Sequence, residues 1–182
     1  MSIALHLPAS CGGTTIRVMR RDDVCAFAAY RSDPVLAQYQ GWSPMTQAES
    51  LNFVDLMATA CSLEPGQWIQ LAISQSSTDD LVGDLGLCLA ADSAAVEIGF
   101  TVANEHQGQG HATRAVVLAA QLCRPFAPML RAVTDARNQA SMAVLERSGF
   151  QKHSERKAFF KGESCIEYIY LRPSSEPMSR PV

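Results

Sequence analysis

Apolar and polar residues switch between two periods along this chain, and the switches predict its elements. Thr15–Met19 reads as a first strand, followed by a helix over about Asp22 to Tyr30. Thr46 can cap a longer helix in which Leu51, Val54, Ala58 and Cys61 recur at helical spacing on one face, with Pro65-Gly66 to end it. Three strands follow, Trp68–Ser74, Leu81–Leu89 and Ala95–Val102, joined by polar turns over Gln75–Asp80 and Ala90–Ser93. A loop over Ala103–Gly110 leads into a helix whose Ala112, Ala115, Val116, Ala119 and Cys123 line one face. Pro125 stops that helix, because proline cannot continue the hydrogen-bond ladder. Leu130–Thr134 is a short strand, and Asn138 caps a helix that closes at Ser148-Gly149. Two last strands, near Ser154–Phe160 and Cys165–Leu171, turn on Lys161-Gly162. The order predicts a mixed α/β (α+β) domain, a largely antiparallel sheet flanked by helices. Its one parallel crossover runs from Ala95–Val102 to Leu130–Thr134.

Composition narrows the class. With 182 residues, 47% of them hydrophobic and 18% charged, the chain suits one globular domain. We expect an N-terminal arm over 1–13, a domain over 14–172, and a disordered tail over 173–182, which is rich in proline and serine. A net charge of -3 gives no electrostatic reason to bind nucleic acid or anionic lipid. No apolar run approaches the ~20 residues that span a bilayer. The segment Met1 to Thr15 has neither the basic start nor the apolar run of a signal peptide. Cysteines 11, 25, 61, 88, 123 and 165 stand singly. They read as reduced thiols of a cytoplasmic protein, mostly core fillers, with no metal site and no disulfide framework.

Chemistry concentrates after the strand Val96-Glu97-Ile98-Gly99-Phe100-Thr101-Val102. A glycine-bearing loop there leads into Gly110-His111-Ala112-Thr113-Arg114, so backbone amides and the positive end of a helix converge. Glycines at 108 and 110 allow close approach of a phosphate. The loop is neither a Walker loop nor a dinucleotide fingerprint; its pattern is Gln107-x-x-Gly110-x-Ala112. A second segment, Asp135-Ala136-Arg137-Asn138-Gln139-Ala140-Ser141, delivers an asparagine at a helix start, and Gly149-Phe150 closes that helix.

Together these segments resemble motifs A and B of the GNAT superfamily of N-acetyltransferases, most of all its RimJ/RimL-type branch. Supporting pieces are Asp33-Pro34-Val35, Gln40-Gly41-Trp42, Val82-Gly83-Asp84-Leu85-Gly86-Leu87, and Lys161-Gly162 with Glu167 and Tyr168. The resemblance implies acetyl-CoA as co-substrate, bound between splayed strands, and a small-molecule amine or peptide N-terminus as acceptor. It implies pantetheine pairing along Phe100, Thr101 and Val102. The pyrophosphate falls on the loop Gln107, Gly108, Gln109, Gly110, His111 and Ala112, with Thr113. Asn138 is implied as a pantetheine contact, although asparagine is also among the best helix caps. A homodimer is implied too, with Phe159 and Phe160 as exposed apolar candidates.

The reaction needs a neutral amine, yet an alkylamine with pKa near ~10 is mostly protonated at neutral pH. Glu97, on the strand beside the expected thioester, is the first candidate base; its structural alternative is a salt-bridged strand carboxylate. Glu105 and His106 come second. The resemblance implies that Ser141 lies near the thioester sulfur, which makes it the candidate to protonate the departing thiolate, against the alternative of a first-turn hydroxyl bonded to backbone. Tyr168 is a weaker acid candidate. Tyr39, Gln40 and Trp42 are implied acceptor-pocket residues, or a packing contact between the first helices. The short Arg124–Met129 connection, with two prolines, and His153 depart from the branch pattern. Transfer of another acyl group, such as succinyl, and a non-catalytic CoA-binding module are the rival readings.

Overall fold

A computed structural model describes residues 2–174. The chain begins with two short strands, β1 (Ile3–Ala4) and β2 (Ala9–Cys11), then β3 (Thr14–Arg17). Helices α1 (Val24–Arg31), α2 (Pro34–Ala37) and α3 (Gln47–Met57) follow, then β4 (Ser62–Leu63), β5 (Trp68–Gln75), β6 (Leu81–Leu89) and β7 (Ala95–Val102). Helix α4 (His111–Cys123), β8 (Met129–Asp135), α5 (Gln139–Arg147), β9 (Gln151–Phe160) and β10 (Glu163–Pro173) complete it. Eight strands form one sheet in the order β2-β3-β5-β6-β7-β8-β10-β9, and only β7 and β8 run parallel. The expected mixed fold, with its single parallel crossover, is the one observed.

Strand β6 lies inside the sheet, and its near-continuous apolar run is buried on both faces. One core gathers Leu71, Leu85 and Leu87 with Val116 and Ala119 of α4; a second packs Ala72 and Leu81 against Phe27 of α1 and Val54 of α3. Fully buried Asp84 ties α1 to the sheet, accepting hydrogen bonds from Tyr30 Oη (2.6 Å) and Arg31 Nη2 (2.7 Å). Burial and the adjoining Asp84 carboxylate push the Tyr30 hydroxyl well above its usual pKa.

Four local expectations need correction. Thr46 caps α3 as expected, in a capping box with Glu49, but the helix ends at Met57. The following residues are drawn into extended pairing with the N-terminus: Leu5 N–H donates to Cys61 O, and β4 pairs with β1. Cys61 therefore leaves the helical face and is exposed. The cysteines are not mostly core fillers: Cys123 is buried, while Cys11, Cys25 and Cys61 are exposed and Cys88 and Cys165 half-buried. Within the segment expected as an arm, β2 extends the main sheet. At the other end Pro173 pairs with Met129 and Ser174 is buried, its N–H donating to Pro128 O; the rest of the expected tail lies outside the described residues.

One feature of the sheet positions the site. Strands β7 and β8 pair only at Ala95–Met129, Val96–Leu130 and Glu97–Arg131. Beyond Glu97, β7 continues with β6 while β8 continues with β10, so the two strands part and a gap opens from Ile98 onward.

Candidate active site

The loop after β7 is shaped by its own side chains. Gln107 Nε2 donates to Val102 O (3.0 Å) and to Asn104 Oδ1 (3.2 Å), while Asn104 Nδ2 donates to Asp33 Oδ2 (2.8 Å). This relay ties the loop to the start of α2. Gly108 and Gly110 take φ of 75° and 81°, a region that glycine enters without a Cβ clash. Gly110 is the N-cap of α4, so the unpaired first-turn amides and the positive end of the helix border the cleft.

Arg114 adds a full cation. Its Nε donates to Thr14 Oγ1 (2.8 Å) and its Nη2 to Gln109 O (2.8 Å), which lays the guanidinium over Gly110. A Cβ on Gly110 would come within 2.7 Å of Arg114 Nη1. His111 turns inward instead, with Nδ1 2.9 Å from Thr14 Oγ1. Burial, then the charge of Arg114, lowers the imidazole pKa.

Three neighbouring cavities with shared lining residues lie at the splay. A cleft of about 420 Å³ lies along β7 and the α4 loop. It borders every predicted cofactor residue except Gln109, whose side chain turns back to Glu105 O (3.1 Å), and it also borders Ser141, Tyr39 and Gln40. A gap of about 40 Å³ between the parted strands shares Gln40, Phe100, Asn138 and Ser141 with the cleft. Val133 and Thr134 line both that gap and a pocket of about 350 Å³ on the far side. Tyr39 borders all three spaces.

The far pocket is strongly polar. Glu97 pairs with Arg131, Asp135 with Arg137 (2.8 Å) and Glu167 with Arg156 (2.7 Å). Hydrogen bonds from Arg137 hold the Asp135 carboxyl below the usual range. Asp135 and Glu167 stand directly opposite each other on β8 and β10, so the arginines also offset a like-charge contact. Tyr39 and Phe160 are the aromatic members of the lining.

The sequence-predicted residues thus divide. Ser141 and the cofactor residues share the cleft, whereas Glu97 lines the far pocket, ion-paired to Arg131. Asn138 caps α5, accepting from Ser141 N–H (3.1 Å), and among the described residues Ser141 Oγ has no hydrogen-bond partner. Glu105 is exposed and outside all three cavities, and His106 borders the cleft. Tyr168 borders none of them and lies under Lys152 Nζ, 3.4 Å from its ring centroid. Trp42 is also outside them, with the Arg31 guanidinium 4.3 Å from its ring. Phe160, expected as an exposed apolar residue, faces the far pocket, and Phe159 on the opposite face is 75% exposed.

A family model for the acetyltransferase (GNAT) domain matches residues 14–151. The chain belongs to the GNAT acetyltransferase family. This GNAT chain is 25% identical over 160 residues to the uncharacterized N-acetyltransferase p20 of Bacillus licheniformis, covering 86% of the chain and 89% of that protein. A GNAT-family acetyltransferase from Bacillus anthracis superposes with a TM-score of 0.82 at 19% identity, over 93% of this chain and all of the other. RimL, a ribosomal L7/L12 alpha-N-protein acetyltransferase solved with CoA, superposes at 0.76 and 19% identity, over 92% of this chain and 98% of its own. The protein is accordingly an N-acetyltransferase with acetyl-CoA-dependent acyl transfer as its chemistry. Among its described residues no helix is long and apolar enough to cross a membrane, and no group of three or more His, Cys, Asp and Glu is placed to hold a metal.

Sequence reasoning left out Arg131, Asp135, Arg156 and Cys165 of the far pocket, along with Arg114. Alternation along the late strands puts residues 131, 133 and 135 on one face and 165 and 167 on one face, which was the available signal. Only the strand register joins the two sets.

Proposed function

We propose that this acetyltransferase moves acetyl from acetyl-CoA directly to a primary amine, on a protein N-terminus, an amino acid or another small amine. The observation that carries the reading is that the glycine-loop cleft, the gap between β7 and β8 and the charged pocket beyond lie side by side, with Tyr39 bordering all three. The loop fits a pyrophosphate: Gly108 and Gly110 add no side chain of their own, first-turn amides border the cleft, and the Arg114 guanidinium brings positive charge beside Gly110. In this reading the amides of Gln107 to Ala112, with Thr113, hold the phosphates. The main chain of Phe100–Val102 and the side chain of Asn138 orient the pantetheine. Bound acetyl-CoA supplies the thioester carbon that the amine attacks.

Glu97 then accepts a proton from the incoming ammonium in the far pocket, directly or through water. Its pair with Arg131 fixes the carboxylate while the nitrogen gives up its charge. Ser141 Oγ gives a proton to the thiolate released when the C–S bond breaks and is reprotonated by the second proton that the attacking nitrogen sheds, directly or through water, so that CoA leaves as the thiol. The unpaired cysteines suit the reducing cytoplasm, where we place the reaction. The test is thiol release from acetyl-CoA and from succinyl-CoA with a panel of peptides, amino acids, spermidine and aminoglycosides. Acetyl-CoA should be consumed with at least one amine. Faster turnover of succinyl-CoA would move the assignment to another acyl group. Tight acetyl-CoA binding with no release by any amine would make the protein a CoA-binding module.

A further inference from the structure

We infer that Lys161, on the hairpin at the edge of the sheet, is a positioning residue for the wall between the donor cleft and the amine pocket. The inference rests on the reading that the amine enters by the far pocket. That wall is the segment from Ala37 to Trp42, whose Tyr39 borders all three cavities. Regular structure stops at Ala37 and resumes only at α3; inside the segment one turn bond, Gln40 N–H to Ala37 O (3.0 Å), holds the backbone, and other ties come from outside. Lys161 Nζ donates to Ala37 O and to Trp42 O, each at 2.6 Å, and so spans both ends of the segment. An ammonium has three donors, enough to bridge two carbonyls, and a charged donor makes the stronger bond.

The geometry makes this more than a surface contact. Lys161 sits at φ 49° in the β9–β10 turn, directly after Phe160 of the far pocket. One side chain therefore joins the hairpin that carries Phe160 to the segment that carries Tyr39. Arg137, held by Asp135, lies 5.6 Å from the Tyr39 ring on another side, and Gln40 Nε2 reaches Phe100 O at 3.4 Å across the gap. Burial lowers the Lys161 pKa, as expected of an ammonium that faces carbonyls.

The test compares Lys161→Met with Lys161→Arg, whose guanidinium retains donors for both carbonyls. Amide hydrogen exchange over residues 38–45 needs no acceptor. Steady-state kinetics use the amine of highest kcat/KM from the panel above. Lys161→Met should speed exchange over that segment and raise the amine KM about tenfold, with acetyl-CoA affinity kept within about twofold. Lys161→Arg should recover most of both changes. Unchanged exchange and KM in Lys161→Met would overturn the inference, as would an equal loss of amine and acetyl-CoA binding. A wild type that turns over no amine would sink the proposed function, while the exchange comparison would continue to test the tie.

Discussion

Replacing Gly110 probes the phosphate loop at its tightest point. An L-residue at φ 81° costs about 1–2 kcal/mol in backbone strain. The new Cβ also forces Arg114 Nη1 away from 2.7 Å, and the bond from Arg114 Nη2 to Gln109 O goes with it, worth about 0.5–1.5 kcal/mol. Gly110→Ala should therefore lose about 2–3 kcal/mol, a fall in Tm of about 5–10 °C for a domain of this size. Acetyl-CoA affinity should fall by about 10- to 100-fold, the worth of one displaced charge-assisted phosphate contact. Gly110→Val, β-branched, should bind too weakly to measure. The control is Gly66→Ala, at φ 77° with open space around it and outside the cleft, which carries the strain alone. Titration calorimetry with acetyl-CoA and thermal melts read both quantities. Wild-type affinity in Gly110→Val, or an equal loss of affinity in Gly66→Ala, would refute the assignment of the loop.

Further outcomes follow from the same geometry. Glu97→Gln should slow turnover at least about tenfold near neutral pH, less at high pH where more amine is already neutral, with cofactor affinity nearly unchanged. Ser141→Ala should show a smaller loss that does not shrink the same way; parallel losses at every pH with lowered melting temperatures would make both residues structural. Because the fold lowers the His111 pKa, both states are neutral above the unfolded value near ~6.5 and the unfolded chain takes up the proton first as pH falls. Stability should thus drop below that pH, and His111→Gln should flatten the drop in urea titrations at pH 7.5 and about 5. Exposed Phe159 and Ile166, on one face of the β9–β10 hairpin, should support a homodimer. Light scattering that reports a monomer at high micromolar concentration would remove it.

Much of the fold is legible along the chain because its central elements are long and periodic. The bounds expected for Leu81–Leu89 and Ala95–Val102 coincide with β6 and β7, and the apolar stripe from Ala115 to Cys123 is the buried face of α4. Strands β1, β2 and β4 have two or three residues each and carry no period of their own; they exist because distant segments pair with them. The glycine loop is legible because it is local. The far pocket is not, since Arg156, Glu167 and Asp135 meet only through the register of three strands. Arg114 likewise finds Thr14 a hundred residues away, and Lys161 finds the Ala37–Trp42 segment across the fold.

In the proposed reaction donor and acceptor meet across the gap between β7 and β8. A crystal structure with a non-hydrolysable acetyl-CoA analogue tests it most directly. The phosphates should lie on the amides of Gln107 to Ala112, the pantetheine along Phe100 to Val102, and the acetyl group at the gap beside Tyr39 and Ser141, facing the far pocket. A nucleotide bound elsewhere, or an acetyl group directed away from that gap, would contradict it.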